Sequence, residues 1–583
     1  MRISPCWPLC LALTLSTALR AQTDATAPAR PVDAGRERGI GPAAPVSETV
    51  DALRPSNAPD AAPADAQTAQ PSDVAGASRE ASQANASFDI LEYRVVGATM
   101  LPAKDIERAV YPHLGERRSM KDVEAARSAL EKLFQDKGYL TVLVDVPEQK
   151  VEGGVVTLRV TEGRIRRVRV TGARYYSLGR IREATAATAA GSVPQVADLQ
   201  RDLATLNRSA DRRVTPVFKP GPTPGTVDMD LKVDDKPPVH GSAELNNLNS
   251  ANTTPLRLSG SLRYDNLWQA DHSLAITLQT APERFRDARI VSGTYVMPVA
   301  GSDAMLAFYG VHSRSDVAAV GSLSVAGNGD ILGARGILPL KSSQGFSQSF
   351  TLGVDYKHFG QSTKLVGADS IEQPVSYIPF LIQYSGTWTD ARGATQFNGG
   401  LNFAMSDFLG YNRTSQFELN KRANARGDYA FFRGDLSRTQ NLGADWKLVA
   451  RTGLQLASGP LIGNEQFAAG GSDTVRGYYE AEQLGDHALL GSVEVRTPYP
   501  AFVPHERIDD LYALAFVEAA NLRLIEALPS QKTSIGLAST GLGLRLSAMK
   551  HLRAGIDVAY ALRDTTYTHS GDIRMRFKLG YEF

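Results

Sequence analysis

Side chains able to do covalent or metal chemistry are few in this sequence, and their spacing does not suit it. The 583 residues include two cysteines, Cys6 and Cys10, and nine scattered histidines. No His-Glu-x-x-His, no Gly-x-Ser-x-Gly and no phosphate loop ending in Gly-Lys-Ser/Thr occurs. Both cysteines lie in residues 1–21, which read as a secretory signal peptide. Arg2 supplies the positive start, 9–19 the apolar stretch, and small residues lead to Ala21. Removal of that peptide leaves no thiol for a disulfide or a metal site. No catalytic residue, cofactor or metal centre is therefore expected. The remaining charge is balanced: 63 basic against 62 acidic residues, a net of +1, without the basic excess of a nucleic-acid binder.

The elements that must position those charges fall into distinct segments. Length alone predicts roughly three or four domains. Residues 22–87, rich in Ala and Pro and without an aromatic, bury too little apolar surface to offset the entropy of ordering, and read as a linker. Within it, 47–54 could form a short plug-like helix capped by Ser47, or remain a tether. Residues 88–162 read β-α-α-β-β. A strand over 90–96 closes at Gly97, and Pro102 starts a helix. Ser119 with Asp122 three on starts a second helix, whose Val123, Ala126, Leu130, Leu133 and Phe134 share a face. Gly138 ends it, and β-branched strands follow over 140–146 and 155–160. Residues 163–236 repeat the plan, with Val168 to Gly172 echoing Val95-Val96-Gly97. Helices over 178–189 and 196–207 precede strands over 214–218 and 226–233. A unit of this size used twice is a duplicated small domain, not a solenoid.

Residues 237–583 alternate instead. Leu256, Leu258, Leu262 and Tyr264 interleave with Arg257, Ser259, Arg263 and Asp265; Ile573, Met575, Phe577, Leu579, Tyr581 and Phe583 interleave with Asp572, Arg574, Arg576, Lys578 and Glu582. Alternation alone fits a soluble sandwich as well as a membrane barrel. Three features favour the barrel. The runs are about ten residues, the span of a tilted strand across a bilayer. Of 44 aromatics, nine precede residue 238 and 35 follow it, as interfacial girdles require. The sequence also ends on an aromatic. The expected class is mostly β: an antiparallel transmembrane β-barrel behind two small α+β domains, a 16-stranded barrel fitting at about 22 residues per strand and connection.

With that layout the chain resembles the two-partner secretion transporters, the outer-membrane proteins that export haemolysins and filamentous-haemagglutinin-like adhesins. The resemblance implies that 88–162 and 163–236 are POTRA domains in the periplasm. It also implies an inward-folding loop at about 460–487. The most specific local match is Glu465-Gln466-Phe467-Ala468-Ala469-Gly470-Gly471 followed by Thr474-Val475-Arg476-Gly477-Tyr478, similar to the Val-Arg-Gly-Tyr tip of the family's lumen loop. In the family the loop arginine meets an acid in a Phe-x-Asp-x-Gly strand motif. Here Phe516-Val517-Glu518-Ala519-Ala520 stands in that place, with Glu for Asp and Ala for Gly. The resemblance pairs Arg476 with Glu518; two separately solvated lumen charges are the bland alternative. Phe583, with Tyr581, resembles the terminal signal read by the barrel-assembly machinery, and it also suits a lipid-facing girdle. Asp265-Asn266-Leu267 followed by Asp271 resembles the first hairpin turn.

The partners so implied are an unfolded exoprotein with an N-terminal haemagglutinin-type secretion domain, outer-membrane lipid and the assembly machinery, with no nucleic acid. The exoprotein would dock on the POTRA pair by strand addition, with 140–146 and 214–218 as candidate edges, and would cross without ATP. An insertase or chaperone of the same superfamily is the alternative, although such proteins carry three or five POTRA units. A passive channel is a third reading.

Overall fold

The computed structural model describes residues 87–583 apart from 316, 321–322, 327, 361, 364–370, 373 and 505. The expected signal peptide, and the 47–54 segment expected as a short helix or a tether, lie outside the described residues. The described chain divides into two compact units, separated between Pro238 and Val239.

In the first half of the smaller unit, helix Met120–Asp136 begins at a capping box. The Ser119 N–H donates to Asp122 Oδ2 at 2.8 Å, offsetting an otherwise unpaired donor. Its Val123, Ala126, Leu130 and Phe134 are buried, joined by Ile106 and Val110 of helix Ala103–Val110. Both helices cover a three-stranded sheet ordered Glu92–Val96, Val155–Glu162, Val142–Asp145. The strand expected over 90–96 is broken at Leu91, and its first piece, Phe88–Ile90, pairs with Gly115–Arg118. That second strand reads Gly-Glu-Arg-Arg and carries no β signal of its own.

The second half has the sheet order Arg164–Thr171, Thr226–Asp235, Arg212–Pro220. Helix Val196–Leu206 lies near the range expected, but the helix expected over 178–189 stops at Glu183. Thr185 Oγ1 donates back to the Arg182 carbonyl at 2.9 Å, and a single 3-10 turn follows.

The echo of Val-Gly between the halves has a backbone cause. In each half the first strand runs parallel to the third and ends at a glycine with positive φ, Gly97 at 87° and Gly172 at 90°. A Cβ there would lie 2.3 Å from the Val160 carbonyl oxygen and 2.4 Å from that of Val233. A carboxylate at or near the end of the third strand then gathers the N–H groups beyond the glycine. Glu162 accepts from Thr99 and Met100; Asp235 accepts from Arg174, Tyr175 and Tyr176. Burial pushes the Glu162 carboxyl up, but the hydrogen bonds from Thr99 and Met100 outweigh it and hold the group below its usual range.

From Val239 the second unit is a closed antiparallel barrel. Its strands number sixteen once Val375–Tyr377 and Pro379–Asp390, both paired to Phe346–Gly360, are taken as one strand interrupted at Ile378. Closure leaves no strand edge, as lipid demands. Turns at the end where the barrel chain starts are short, apart from 497–507. At 444–445 both Ala444 and Asp445 take positive φ, 48° and 60°, which suits the strand twist. The opposite end carries the long connections. Outward positions are apolar, with Leu262, Leu332, Leu542, Ile573 and Met575 all exposed, while Arg257, Arg263, Asp355 and Arg576 are buried inward. Trp268, Trp388, Trp446 and Phe502 stand exposed at the turn end, as an interfacial girdle requires, with Phe285 and Tyr567 exposed at the loop end. Among the described residues no helix is long and apolar enough to cross a membrane.

The glycine turns are the most exposed to test. Gly97→Ala and Gly172→Ala should each destabilise a soluble 87–238 fragment by about 2–3 kcal/mol, combining left-handed strain with a backbone clash. Urea unfolding reads this directly. An unchanged midpoint would show that the strand carbonyl yields instead.

Candidate functional site

The connection 458–486 leaves strand Trp446–Ala457 and, instead of running outside, folds into the barrel. Its arms pair as a short ladder, Phe467–Ala469 with Gln483–Gly485. Beyond the ladder the chain must turn sharply, and Gly470, Gly471 and Gly477 supply φ of 106°, 109° and 104°. A Cβ on Gly470 would lie 2.5 Å from the Tyr479 carbonyl oxygen, so with its left-handed φ that position has room for glycine alone. The tip is pressed to the wall by Val475 and Tyr478, which pack with the inward residues Ala488, Leu490, Ala520, Leu522 and Leu537.

Arg476 is 3% exposed and fully engaged. Its backbone N–H donates to Glu518 Oε2 at 2.7 Å, and its Nε and Nη2 donate to Glu518 Oε1 at 3.0 and 2.7 Å. Nη2 also donates to Glu494 Oε2 at 2.9 Å, and Nη1 lies 3.5 Å from Asp557 Oδ1. The guanidinium sits 3.5 Å from the centre of the Phe516 ring, where cation–π attraction adds to the ion pairs. Glu518, itself 1% exposed, accepts further bonds from Ser492 Oγ at 3.1 Å and Arg451 Nη2 at 3.5 Å. The excess carboxylates are met by other arginines: Arg496 on Glu494 at 2.7 Å and Arg545 on Asp557 at 2.9 Å. The charges form one buried network, not two solvated ions, and every carboxylate in it is already neutralised by guanidinium. Such a network attaches the loop; it has no free group for acid–base chemistry.

The remaining expected residues fall around this network. Tyr478 Oη accepts from the Arg563 N–H at 3.2 Å and lies 2.8 Å from the Arg563 carbonyl and 3.0 Å from that of Ala538. Its own carbonyl accepts from Arg576, and the Gly477 carbonyl accepts from Arg574 Nε at 3.2 Å. Ala520, where the family motif has glycine, is buried in the apolar cluster that also holds Val475 and Tyr478. Phe583 and Tyr581 lie apart from the loop, on the outward face of the closing seam. Phe583 exchanges backbone bonds with Gly241, at 3.0 and 3.1 Å, and its ring covers that glycine. Glu494, Ser492 and Asp557 escaped the sequence reading. Their only signal was parity: Ser492 is the register partner of Glu518, so residues two apart from it share the inner face.

Comparison with known proteins agrees at two levels. Residues 88–163 match the model of the ShlB-type POTRA domain, and 429–583 that of the Omp85 superfamily domain. In sequence, the outer membrane transporter CdiB of Escherichia coli O6:K15:H31 (strain 536) is 27% identical over 179 residues, 31% of this chain and 30% of that protein. CdiB of Dickeya dadantii is 23% identical over 181 residues, 31% of this chain and 32% of that protein. The match thus spans about a third of each relative's length. In structure, CdiB from Escherichia coli aligns with TM-score 0.58 at 18% identity, covering 92% of this chain and 96% of that one. BamA from Haemophilus ducreyi lacking POTRA domains 1–3 aligns at 0.51 and 15%, covering 85% and 100%. At these identities the structural likeness speaks for the fold alone.

Arg476→Ala would leave Glu518 and Glu494 buried beside fewer cations, at a cost of about 3–5 kcal/mol to the docked loop. The expected result is a folded barrel whose loop becomes cleavable by added protease. Resistance equal to the parent protein would mean that Val475 and Tyr478 hold the tip without the ion pairs.

Proposed function

A ShlB-type POTRA domain ahead of an Omp85 superfamily barrel gives this chain the architecture of the two-partner secretion transporters of the outer membrane, and from that premise we propose that it exports one unfolded partner protein through the barrel lumen. The POTRA domains face the periplasm. The observation that carries the proposal is the loop 458–486, held inside the lumen by Arg476 through a network that can be broken and remade without any covalent step. A conduit filled by its own loop opens only when that loop withdraws, and no ATP enters the cycle. Folding of the exported chain outside supplies direction.

Docking of the partner proceeds by strand addition to a POTRA sheet. Both candidate segments are edge strands, Val142–Asp145 in the first sheet and Arg212–Pro220 in the second. Pro216 permanently removes a donor midway along the second. On the first, Arg127 Nη1 donates to the Val144 carbonyl at 3.1 Å, a cover that can swing aside. Val142–Asp145 is therefore the favoured edge. The partner is an exoprotein with an N-terminal haemagglutinin-type secretion domain, and the assembly machinery acts on strand Ile573–Glu582 with Phe583 beside it.

Deleting the transporter should strand a single large exoprotein in the periplasm while the other outer-membrane proteins stay at normal levels, as read by fractionation and proteomics. Broad depletion of outer-membrane proteins would instead identify an assembly insertase.

A further inference from the structure

The lumen is not polar along its whole length. At the loop end, Ile290, Val311, Ile331, Phe359, Tyr377 and Phe431 point inward from separate strands and are nearly fully buried. In a water-filled barrel they would be wet. They are dry because Leu461 and Ile462 of the inward loop and Phe417 and Ala425 of the connection 405–428 pack among them. Phe417 lies on the short helix Thr414–Asn420, 1% exposed, its ring 5.4 Å from that of Tyr377 and edge-on to it. The connection is pinned near its start by Asn412, which accepts from the Ile378 N–H at 2.6 Å and donates to the Met405 carbonyl at 2.7 Å.

One ion pair ties this cover down. Arg422 donates in bidentate fashion to Asp486, Nη1 to Oδ1 at 2.6 Å and Nη2 to Oδ2 at 2.9 Å. The same nitrogens reach the carbonyls of Leu461 at 2.8 Å and Ile525 at 2.7 Å. The Asp486 side chain is 0% exposed and also accepts from the N–H groups of Leu461 and Ile525 and from Gln466 Nε2. Three connections thus meet at one carboxylate: 405–428 through Arg422, both roots of 458–486 through Leu461 and Asp486, and 524–533 through Ile525.

We propose that Arg422 and Asp486 form a positioning clamp that fixes the roots of the lumen loop and holds 405–428 as a lid across the exit. The clamp lies at the opposite end of the loop from Arg476, so the tip can leave the wall while the roots stay anchored, and the exit opens only when Arg422 lets go. Removing Arg422 strands a fully buried carboxylate, which strongly disfavours the closed arrangement. Hydrophobic constriction is the kind of seal that excludes water and ions without a charged gate.

The chain has no cysteine beyond Cys10, which makes the lid easy to report on. Ala425→Cys places a thiol in the seal at a position 1% exposed, with little change of volume. A membrane-impermeant maleimide added to intact cells should label this full-length variant slowly. Adding Arg422→Ala should accelerate labelling at least tenfold, and Arg422→Lys, which keeps the charge but loses the planar fork, should fall between. An unchanged rate in Arg422→Ala, in a barrel that still shifts on heating in gels, overturns the clamp. If Arg422→Ala does not assemble, Asp486→Asn is judged by the same criterion. The clamp rests on the export reading for its purpose, but labelling needs no partner. Slow labelling of Ala425→Cys with Arg422→Ala and intact secretion sinks the clamp alone, whereas rapid labelling of that double variant, with no partner ever secreted by the parent protein, sinks the export reading alone.

Discussion

A guanidinium taken out of water must be met on every side, and the site depends on how Arg476 is met. Desolvating it costs several kcal/mol, offset only by close, well-aligned carboxylates. Glu518 supplies a side-chain fork and a bond to the Arg476 backbone, Glu494 a second anion and Phe516 a ring face. Those three groups come from two adjacent strands, His487–Arg496 and Ile508–Arg523, whose register sets Ser492 against Glu518 and Glu494 against Phe516. A slip of one residue in that pairing would turn the acids outward into lipid. The arrangement of the loop therefore inherits the register of the barrel, and the glycines at 470, 471 and 477 only let the chain reach the place the register has prepared.

The wall motif departs from that of the family the chain resembles at two places, and both face the loop. Ala520 is buried in the apolar cluster that also holds Val475 and Tyr478. Glu518, one methylene longer than Asp, reaches both the guanidinium and the backbone N–H of Arg476.

How much of this was legible follows from periodicity. Strands such as Ile573–Glu582, with apolar and charged residues in strict alternation, declare both their faces, and the strand pair in the wall could be placed from sequence. Glu494 and Asp557 were legible in principle, being inward by parity, but parity alone does not say that an arginine from another segment will arrive there. The dry loop end hides for a different reason. Ile290 beside Val291, and Ile331 beside Leu332, break the alternation, because one residue of each pair faces lipid and the other faces the inward-folded connections. Such doublets read as ordinary buried strand. Arg422 and Asp486 lie in connections with no period at all, so only the folded chain brings them together. The strand Gly115–Arg118 was missed because pairing with Phe88–Ile90, not propensity, makes it a strand.

The lumen thus has two regions with different physics. Around Arg476 it is charged, and there attraction is strong only while water stays out; any opening that admits water raises the local dielectric and weakens the very pairs that hold the loop. At the loop end the lining is apolar, and there the ion pair of Arg422 with Asp486 holds the cover that keeps water out. On the proposed clamp, a loosened lid admits more water to a network whose outer arginines, Arg451, Arg496 and Arg545, are already part-exposed, and release of the tip becomes less costly. Coupling of this kind needs no dedicated pathway between Asp486 and Arg476, which sit at the root and tip of one loop. It follows from the dependence of ion-pair strength on dryness.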